Sequence, residues 1–355
     1  MPLELTVEQR DLRDALADAW DDTAPGTDVW ESLRAMGLTG IPFPEDVGGA
    51  ESGLKDVAVV MSELGRTMAT APYLSSVVLA GHALLLAGSD AARDVLGDIA
   101  SGDRVAALVS GPGITTSDVR AVVRNDDTLV LDGAQHAVVD GARADVLVVV
   151  AATESGTVLG VLTADTAGLR RTELETLDLT RELARVEFDG VVARRVSGPS
   201  VETELARVRS IAMIAVAAEQ VGAARACLDM SADYCKHRTQ FDRIIGSFQS
   251  IKHRLVDMLV AIELAEAAML DASTADVRDD GELAVAAATA RVLASRAAMF
   301  AAEESIQVHG GIGFTWEHPL HHYFRRAKTN QLLWGDVEQH IETVAAALVD
   351  GSVAG

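Results

Sequence analysis

The sequence predicts an α+β fold, mostly α, laid out as helices, then strands, then helices. Three observations predict it. The spacing of apolar residues changes twice along the chain, from three-and-four to short β-prone runs and back. Aromatic residues make up only 4% of the chain, a composition that favours helices over a β-sandwich. No βαβ alternation and no G-x-G-x-x-G behind a strand is present, which argues against a Rossmann fold. At 355 residues the chain has room for two or three domains, each burying a core without disulfides.

Residues 1–106 read as a helical domain. Leu12, Leu16 and Trp20, then Val57, Val60, Met61 and Leu64, then Val77, Leu79, His82 and Leu85 recur at helical spacing. The Pro/Gly-rich stretch 40–49 interrupts them as a loop. Residues 107–200 read as a small antiparallel β domain, barrel or sandwich. Its β-prone runs are Val119–Val123, Leu129–Leu131, Ala137–Val139, Val146–Val150, Val158–Leu162 and Ala184–Phe188, with turn signals at Asn125–Asp127 and Glu154–Gly156. Residues 201–355 read as a helical bundle, with long helices over Leu205–Lys236, Phe248–Ala272 and Glu282–Val308. Their apolar faces are too many for a lone domain, so the bundle is expected to pack against other subunits.

Thirty basic against 53 acidic residues give a formal charge of −23, which disfavours binding to nucleic acid or to anionic lipid. Cys227 and Cys235, eight residues apart on a predicted helix, lie about 12 Å from one another and read as free thiols. His318, His321 and His322 form a surface-type group without metal-ligand spacing, so no metal is expected. The stretch Met1–Trp20 is acidic and amphipathic, unlike a signal peptide. The apolar runs Val146–Ala152 and Ile211–Ala218 fall short of the roughly 20 residues of a membrane span. The expectation is a soluble, cytoplasmic protein. Trp20, Trp30 and Trp316 read as packing anchors, His253 and His309 as structural histidines, and Glu303 and Glu304 as lining a helix surface.

Two segments carry chemistry. Arg238–Gln249, RTQFDRIIGSFQ, places a guanidinium, amides and two rings in a loop between helices, a set suited to a phosphate and a flat ring. Gln307–Pro319, QVHGGIGFTWEHP, puts three glycines within four residues, so a ligand can approach the backbone amides. Either one alone would read as an ordinary loop. Together they resemble the acyl-CoA dehydrogenase family, as R-x-Q-F-x-x-x-I-G-x-F-Q and Q-x-H-G-G-x-G-F-T. Trp30, Leu33, Gly37, Pro44-Glu45, Gly48-Gly49, Glu63–Arg66 and Leu177–Asp189 are also similar to that family, so the resemblance covers nearly the whole chain.

The resemblance implies an N-terminal helical domain, a middle β domain and a C-terminal four-helix bundle. It implies an FAD enzyme that desaturates acyl-CoA thioesters, with a carboxylate removing the α-proton and electron-transferring flavoprotein as acceptor. In the family both motifs reach a neighbouring subunit's FAD. By that resemblance Arg238 and Gln240 take the pyrophosphate and adenosine side, Phe248 and Gln249 pack nearby, and Gln307, His309, Gly310 and Gly311 hold the adenine-ribose part.

Where the family's glutamate base is expected, this chain has Trp334; at the alternative position on the preceding helix it has Ala212, followed by Met213. No catalytic residue is therefore assigned, with Asp336 and Glu338 as the nearest carboxylates. The T-E-P-x-x-G-S-D flavin loop appears as 109–118, keeping Ser117 and Asp118, and W-x-T-N-G appears as Ala137–Gly141 without its tryptophan. Features serving the chain's own flavin are lost while those reaching a neighbour are kept. That pattern resembles the non-catalytic subunit of bacterial α2β2 acyl-CoA dehydrogenases of steroid side-chain degradation. A self-sufficient homo-oligomer with a relocated base and a flavin-free scaffold or CoA-binding protein are the alternative readings.

Overall fold

The computed structural model describes residues 4–125, 127–198, 201–274 and 278–349. Helices α1 (Val7–Ala19), α2 (Trp30–Ala35), α3 (Leu54–Thr67), α4 (His82–Ala87) and α5 (Asp90–Ala100) form the first part. A π-helical stretch, Leu74–Gly81, runs directly into α4. Thr6 opens α1 with a capping box, exchanging hydrogen bonds with Gln9. The Pro/Gly stretch is not α-helical: it holds only short 3-10 turns at Leu38–Gly40 and Glu45–Val47, the second ended by Gly48 at φ 85°. Trp20 and Trp30 are buried packing anchors, as expected.

The strands are β1 (Ala106–Val109), β2 (Arg120–Asn125), β3 (Thr128–Val139), β4 (Val146–Thr153), β5 (Gly156–Thr163), β6 (Leu169–Glu173) and β7 (Leu183–Arg195). Their sheet is mixed, not purely antiparallel. β1 runs parallel to β4 in register Ala106↔Val146, and β2 meets β4 in parallel at Arg120↔Ala152. Both strands of the β1–β4 pair are buried at every paired position. Such a continuous apolar run does not reveal strand direction. Leu129–Leu131 and Ala137–Val139, read as separate runs, belong to the single strand β3. Because β5 pairs with both β4 and β7, the sheet closes into a barrel.

The last part contains α6 (Val201–His237), the hairpin β8 (Thr239–Gln240) and β9 (Arg243–Ile244), α7 (Gln249–Ala272), α8 (Asp280–His309), α9 (Leu320–Leu332) and α10 (Val337–Val349). α6 and α8 each contain an apolar window long enough to cross a membrane, but those windows are 94% and 61% buried inside the fold. α3 crosses α6 at contact distance. A Cβ on Gly65 would lie 2.0 Å from the Glu219 carbonyl oxygen, and one on Gly222 would lie 1.9 Å from that of Ser62. Only glycine allows that approach, which presses Glu219 against the first helical part. Cys227 and Cys235 are free and buried, and no metal-binding group of three side chains occurs among the described residues.

Candidate functional site

The two motifs meet at one end of the bundle, and the positions where a base would stand lie in the interior. At the first, α6 ends at His237 and the chain turns through the β8–β9 hairpin, with Phe241 and Asp242 left-handed at φ 53° and 60°. The Ile245 amide closes the loop by donating to the Arg238 carbonyl at 2.8 Å. From the other side α8 ends at His309, and Gly310 adopts φ 63°, ψ −136°, open to glycine. Ile245, Cys235 and Val308 share a small buried cluster, which joins the two motifs. Tyr234 stacks on His309 with centroids 4.4 Å apart, and His318 lies 4.6 Å beyond. The His309 Nδ1 bonds the Ser305 carbonyl at 2.8 Å, and burial holds its pKa below the usual imidazole value.

The motif end is open. Arg238, Gln249 and Gln307 are exposed, and the Arg238 guanidinium has no partner among the described residues. A Cβ at Gly310 or Gly311 would meet nothing within 4 Å. The Gln240 amide donates only to its neighbour, the Thr239 carbonyl. Arg243 lies 3.9 Å over the Phe248 ring and Phe241 meets that ring edge-on. A free guanidinium, open glycine backbone and ring faces fit a phosphate attached to a flat heterocycle, the chemistry of the pyrophosphate–adenosine half of FAD.

Around this end Phe241 is 87%, Phe314 82% and Trp316 68% exposed. Trp316 is thus no packing anchor; it lies under the Arg325 guanidinium at 4.6 Å. Val256, Leu259, Val260 and Leu264 on one face of α7 are exposed as well. An apolar surface of this extent is characteristic of an interaction site.

Interior positions 334 and 212 carry no carboxylate. Trp334 is 8% exposed at φ 57° and shares the main apolar core with fully buried Ala212. Neither side chain accepts a proton. Asp336 caps α10, accepting from the Gln339 amide at 2.9 Å, and Glu338 is exposed on that helix. In the 109–118 loop Ile114 is fully buried at φ 65°, and Val139 joins the same core. The Ser117 hydroxyl accepts from the Val119 amide at 3.1 Å, while the Asp118 amide donates to Gln135.

Sequence reading missed a buried polar network beside these positions. The Arg181 Nη2 donates to both Glu219 oxygens at 2.7 and 2.5 Å. Arg326 donates to Asp178 and to Glu219, each at 2.5 Å, and to the Thr180 carbonyl and hydroxyl at 2.6 Å. The Asn330 amide adds a bond to Glu219 at 2.8 Å, and Arg291 donates to Gln220 at 2.6 Å. Burial alone would raise the Glu219 and Asp178 carboxyls, but the guanidiniums outweigh it and hold both below the usual range. A signal was present: Glu219-Gln220 breaks the apolar run of α6, and Arg291 breaks the Ala-rich run of α8. The network faces a cavity of about 700 Å3 between α3, the ends of β3 and β6, and α6. At its edge Ser75 donates to Asp140 at 2.5 Å, and burial pushes the Asp140 carboxyl up to about 6.

A helical first part, a closed mixed barrel and a bundle that presents these two motifs define one class of flavoprotein architecture. Residues 8–103 match the acyl-CoA dehydrogenase N-terminal domain and residues 210–349 its C-terminal domain. The chain belongs to the acyl-CoA dehydrogenase family of oxidoreductases. It is similar to acyl-CoA dehydrogenase IpdE2 of Mycobacterium tuberculosis, 38% identical over 84% of this chain and 80% of that one. The ChsE4–ChsE5 complex of the same organism superposes with a TM-score of 0.86 at 29% identity, covering 99% of each chain. The Tcur3481–Tcur3483 steroid acyl-CoA dehydrogenase superposes with a TM-score of 0.87 at 27% identity, covering 98% of this chain and 99% of that one.

Proposed function

We propose that this chain is the base-less subunit of a heteromeric acyl-CoA dehydrogenase in the cytoplasm, completing the FAD site of a homologous catalytic partner. Bound FAD supplies hydride acceptance from the acyl-CoA, with electron-transferring flavoprotein as its acceptor. What this chain contributes is binding and position. Arg238 pairs with pyrophosphate oxygens and Gln240 with the adenosine side. Gly310 and Gly311 offer unobstructed amides beside Gln307, His309, Phe248 and Gln249. The exposed face of α7 with Phe241, Phe314 and Trp316 is the surface that a partner covers.

The single observation that carries the reading is the contrast between buried Trp334 and Ala212, where a proton acceptor is needed, and the open, unpaired Arg238 end. Similarity to chains of the ChsE4–ChsE5 complex and of the Tcur3481–Tcur3483 steroid acyl-CoA dehydrogenase supports the heteromeric, steroid side-chain version. The test is to purify the chain alone and co-expressed with a homologue that carries an intact glutamate. The expected result is colourless protein alone and a yellow complex that loses flavin on Arg238→Ala. A stoichiometric flavin band in the isolated chain that bleaches on adding an acyl-CoA would establish a self-sufficient enzyme instead. Absence of flavin with every homologous partner would point to a scaffold.

A further inference from the structure

We propose, on the basis of an FAD site at the motif end, that Tyr234 is a positioning residue whose ring holds the Gly-rich turn ready for its ligand and fixes that turn against the Arg238 loop. Glycine backbone does not hold itself. It loses more conformational freedom on ordering than any other residue, so an unanchored turn would oppose binding. A Cβ on Gly310 or Gly311 would meet nothing within 4 Å, so those residues pack against no neighbour. The turn is held from its ends, and His309 stands at both. It directly precedes Gly310, and a Cβ on Gly313 would lie 3.1 Å from the His309 Cβ.

Three contacts fix the His309 imidazole. Its Nδ1 donates to the Ser305 carbonyl at 2.8 Å, which requires a protonated Nδ1. His318 tilts against the ring at 56°, with centroids 4.6 Å apart. Tyr234 stacks on it at 4.4 Å and 26°. Of these three partners only Tyr234 comes from α6, the helix that leads into the other motif.

The Arg238 amide donates to the Tyr234 carbonyl at 2.9 Å. One residue therefore carries the start of the Arg238 loop on its backbone and the start of the Gly-rich turn on its ring. Two segments that must meet one ligand together take their spacing from it. The Tyr234 hydroxyl has no hydrogen-bond partner among the described residues, so the ring face, not the hydroxyl, holds His309. Tyr234 also packs on the cluster of Cys235, Ile245 and Val308. Leucine keeps that apolar packing but cannot stack, which separates positioning from folding.

Tyr234→Leu and Tyr234→Phe test this in the full chain alone and in the complex with a homologue that carries an intact glutamate. In the chain alone, nitrogen NMR should show a protonated His309 Nδ1 in wild type and Tyr234→Phe. In Tyr234→Leu the two ring nitrogens should average, and amides 310–313 should exchange about tenfold faster. In the complex, Tyr234→Leu should bind FAD about three- to tenfold more weakly, the loss expected of one ring pair, and Tyr234→Phe should match wild type. His318→Ala removes another ring from His309 and should loosen amides 310–313 in the same sense, which keeps the test open if Tyr234→Leu does not fold. Unchanged spectra, exchange or FAD affinity in folded Tyr234→Leu, equal losses in Tyr234→Phe, or unchanged exchange in His318→Ala would each overturn the proposal. Spectra and exchange of the chain alone need no flavin, so a colourless wild-type complex would refute the proposed function while these still decide the role of Tyr234.

Discussion

Asp140→Asn isolates the energetic cost of one buried carboxyl. Asp140 is 7% exposed, accepts from Ser75 at 2.5 Å and sits near Arg181, Arg143 and Glu182. Burial, the largest influence, raises its pKa to about 6 from an ordinary 3.8, and Glu182 adds to the rise, while the Ser75 bond and both arginines oppose it. The sign follows from linkage. Above about pH 6 the folded protein must ionise a carboxyl that the unfolded chain ionises more easily, so the wild type carries the full cost. Below about pH 4 both states are protonated and the cost vanishes. A gap of about two pH units at about 1.4 kcal/mol each amounts to ~3 kcal/mol. Asparagine keeps an oxygen for Ser75, nearly the same volume and no charge. With an unfolding entropy of about 2.1 cal/mol/K per residue, Asp140→Asn should raise Tm by about 4 °C at pH 8. The gain should shrink toward zero at pH 4. Differential scanning fluorimetry of both proteins across that range measures it. Glu219 and Asp178 titrate equally in both proteins, so they cancel from the difference. A gain that is constant with pH, or a loss at pH 8, would refute the reasoning.

Other outcomes follow from the same contacts. Gly222→Ala places a methyl 1.9 Å from the Ser62 carbonyl oxygen; forcing α3 and α6 apart should cost about 1–3 kcal/mol, and a denaturant midpoint equal to wild type would contradict the close crossing. Glu219→Gln leaves Arg181 and Arg326 short of a carboxylate and should cost about 3–5 kcal/mol in urea unfolding. Because the Glu219 and Asp178 carboxyls are held below the usual range, their stabilisation is complete above the unfolded carboxylate pKa and is lost as pH falls through the lower folded values. Leu264→Asp charges the exposed face of α7 without touching the core; co-expressed complex should dissociate on size-exclusion chromatography while the chain keeps its circular dichroism, and an intact complex would remove α7 from the interface.

Local sequence determined the helices and where they stop. The long apolar spacings of α6, α7 and α8 are a property of neighbouring residues, and the Pro/Gly run 40–49 forbids continuation by covalent geometry alone. The motif residues were legible for the same reason: Arg238–Gln249 and Gln307–Thr315 are contiguous strings, and their glycines announce open backbone. That positions 334 and 212 hold Trp and Ala in place of a carboxylate was equally legible, because residue identity needs no geometry to recognise.

What only the tertiary structure decided is pairing across distance. β1 lies parallel to β4, with the β2–β3 hairpin between them in the chain, and a strand buried along its whole length carries no mark of direction. β6 escaped reading because its exposed, polar face carries no apolar signal. The network of Asp178, Arg181, Glu219 and Arg326 joins a loop, α6 and α9 across more than a hundred residues. Each of those side chains looks like an ordinary charge until folding removes water and leaves only the others to compensate it. Trp316 shows the reverse: an aromatic ring reads as core by composition, and only the placement of its neighbours leaves it facing outward.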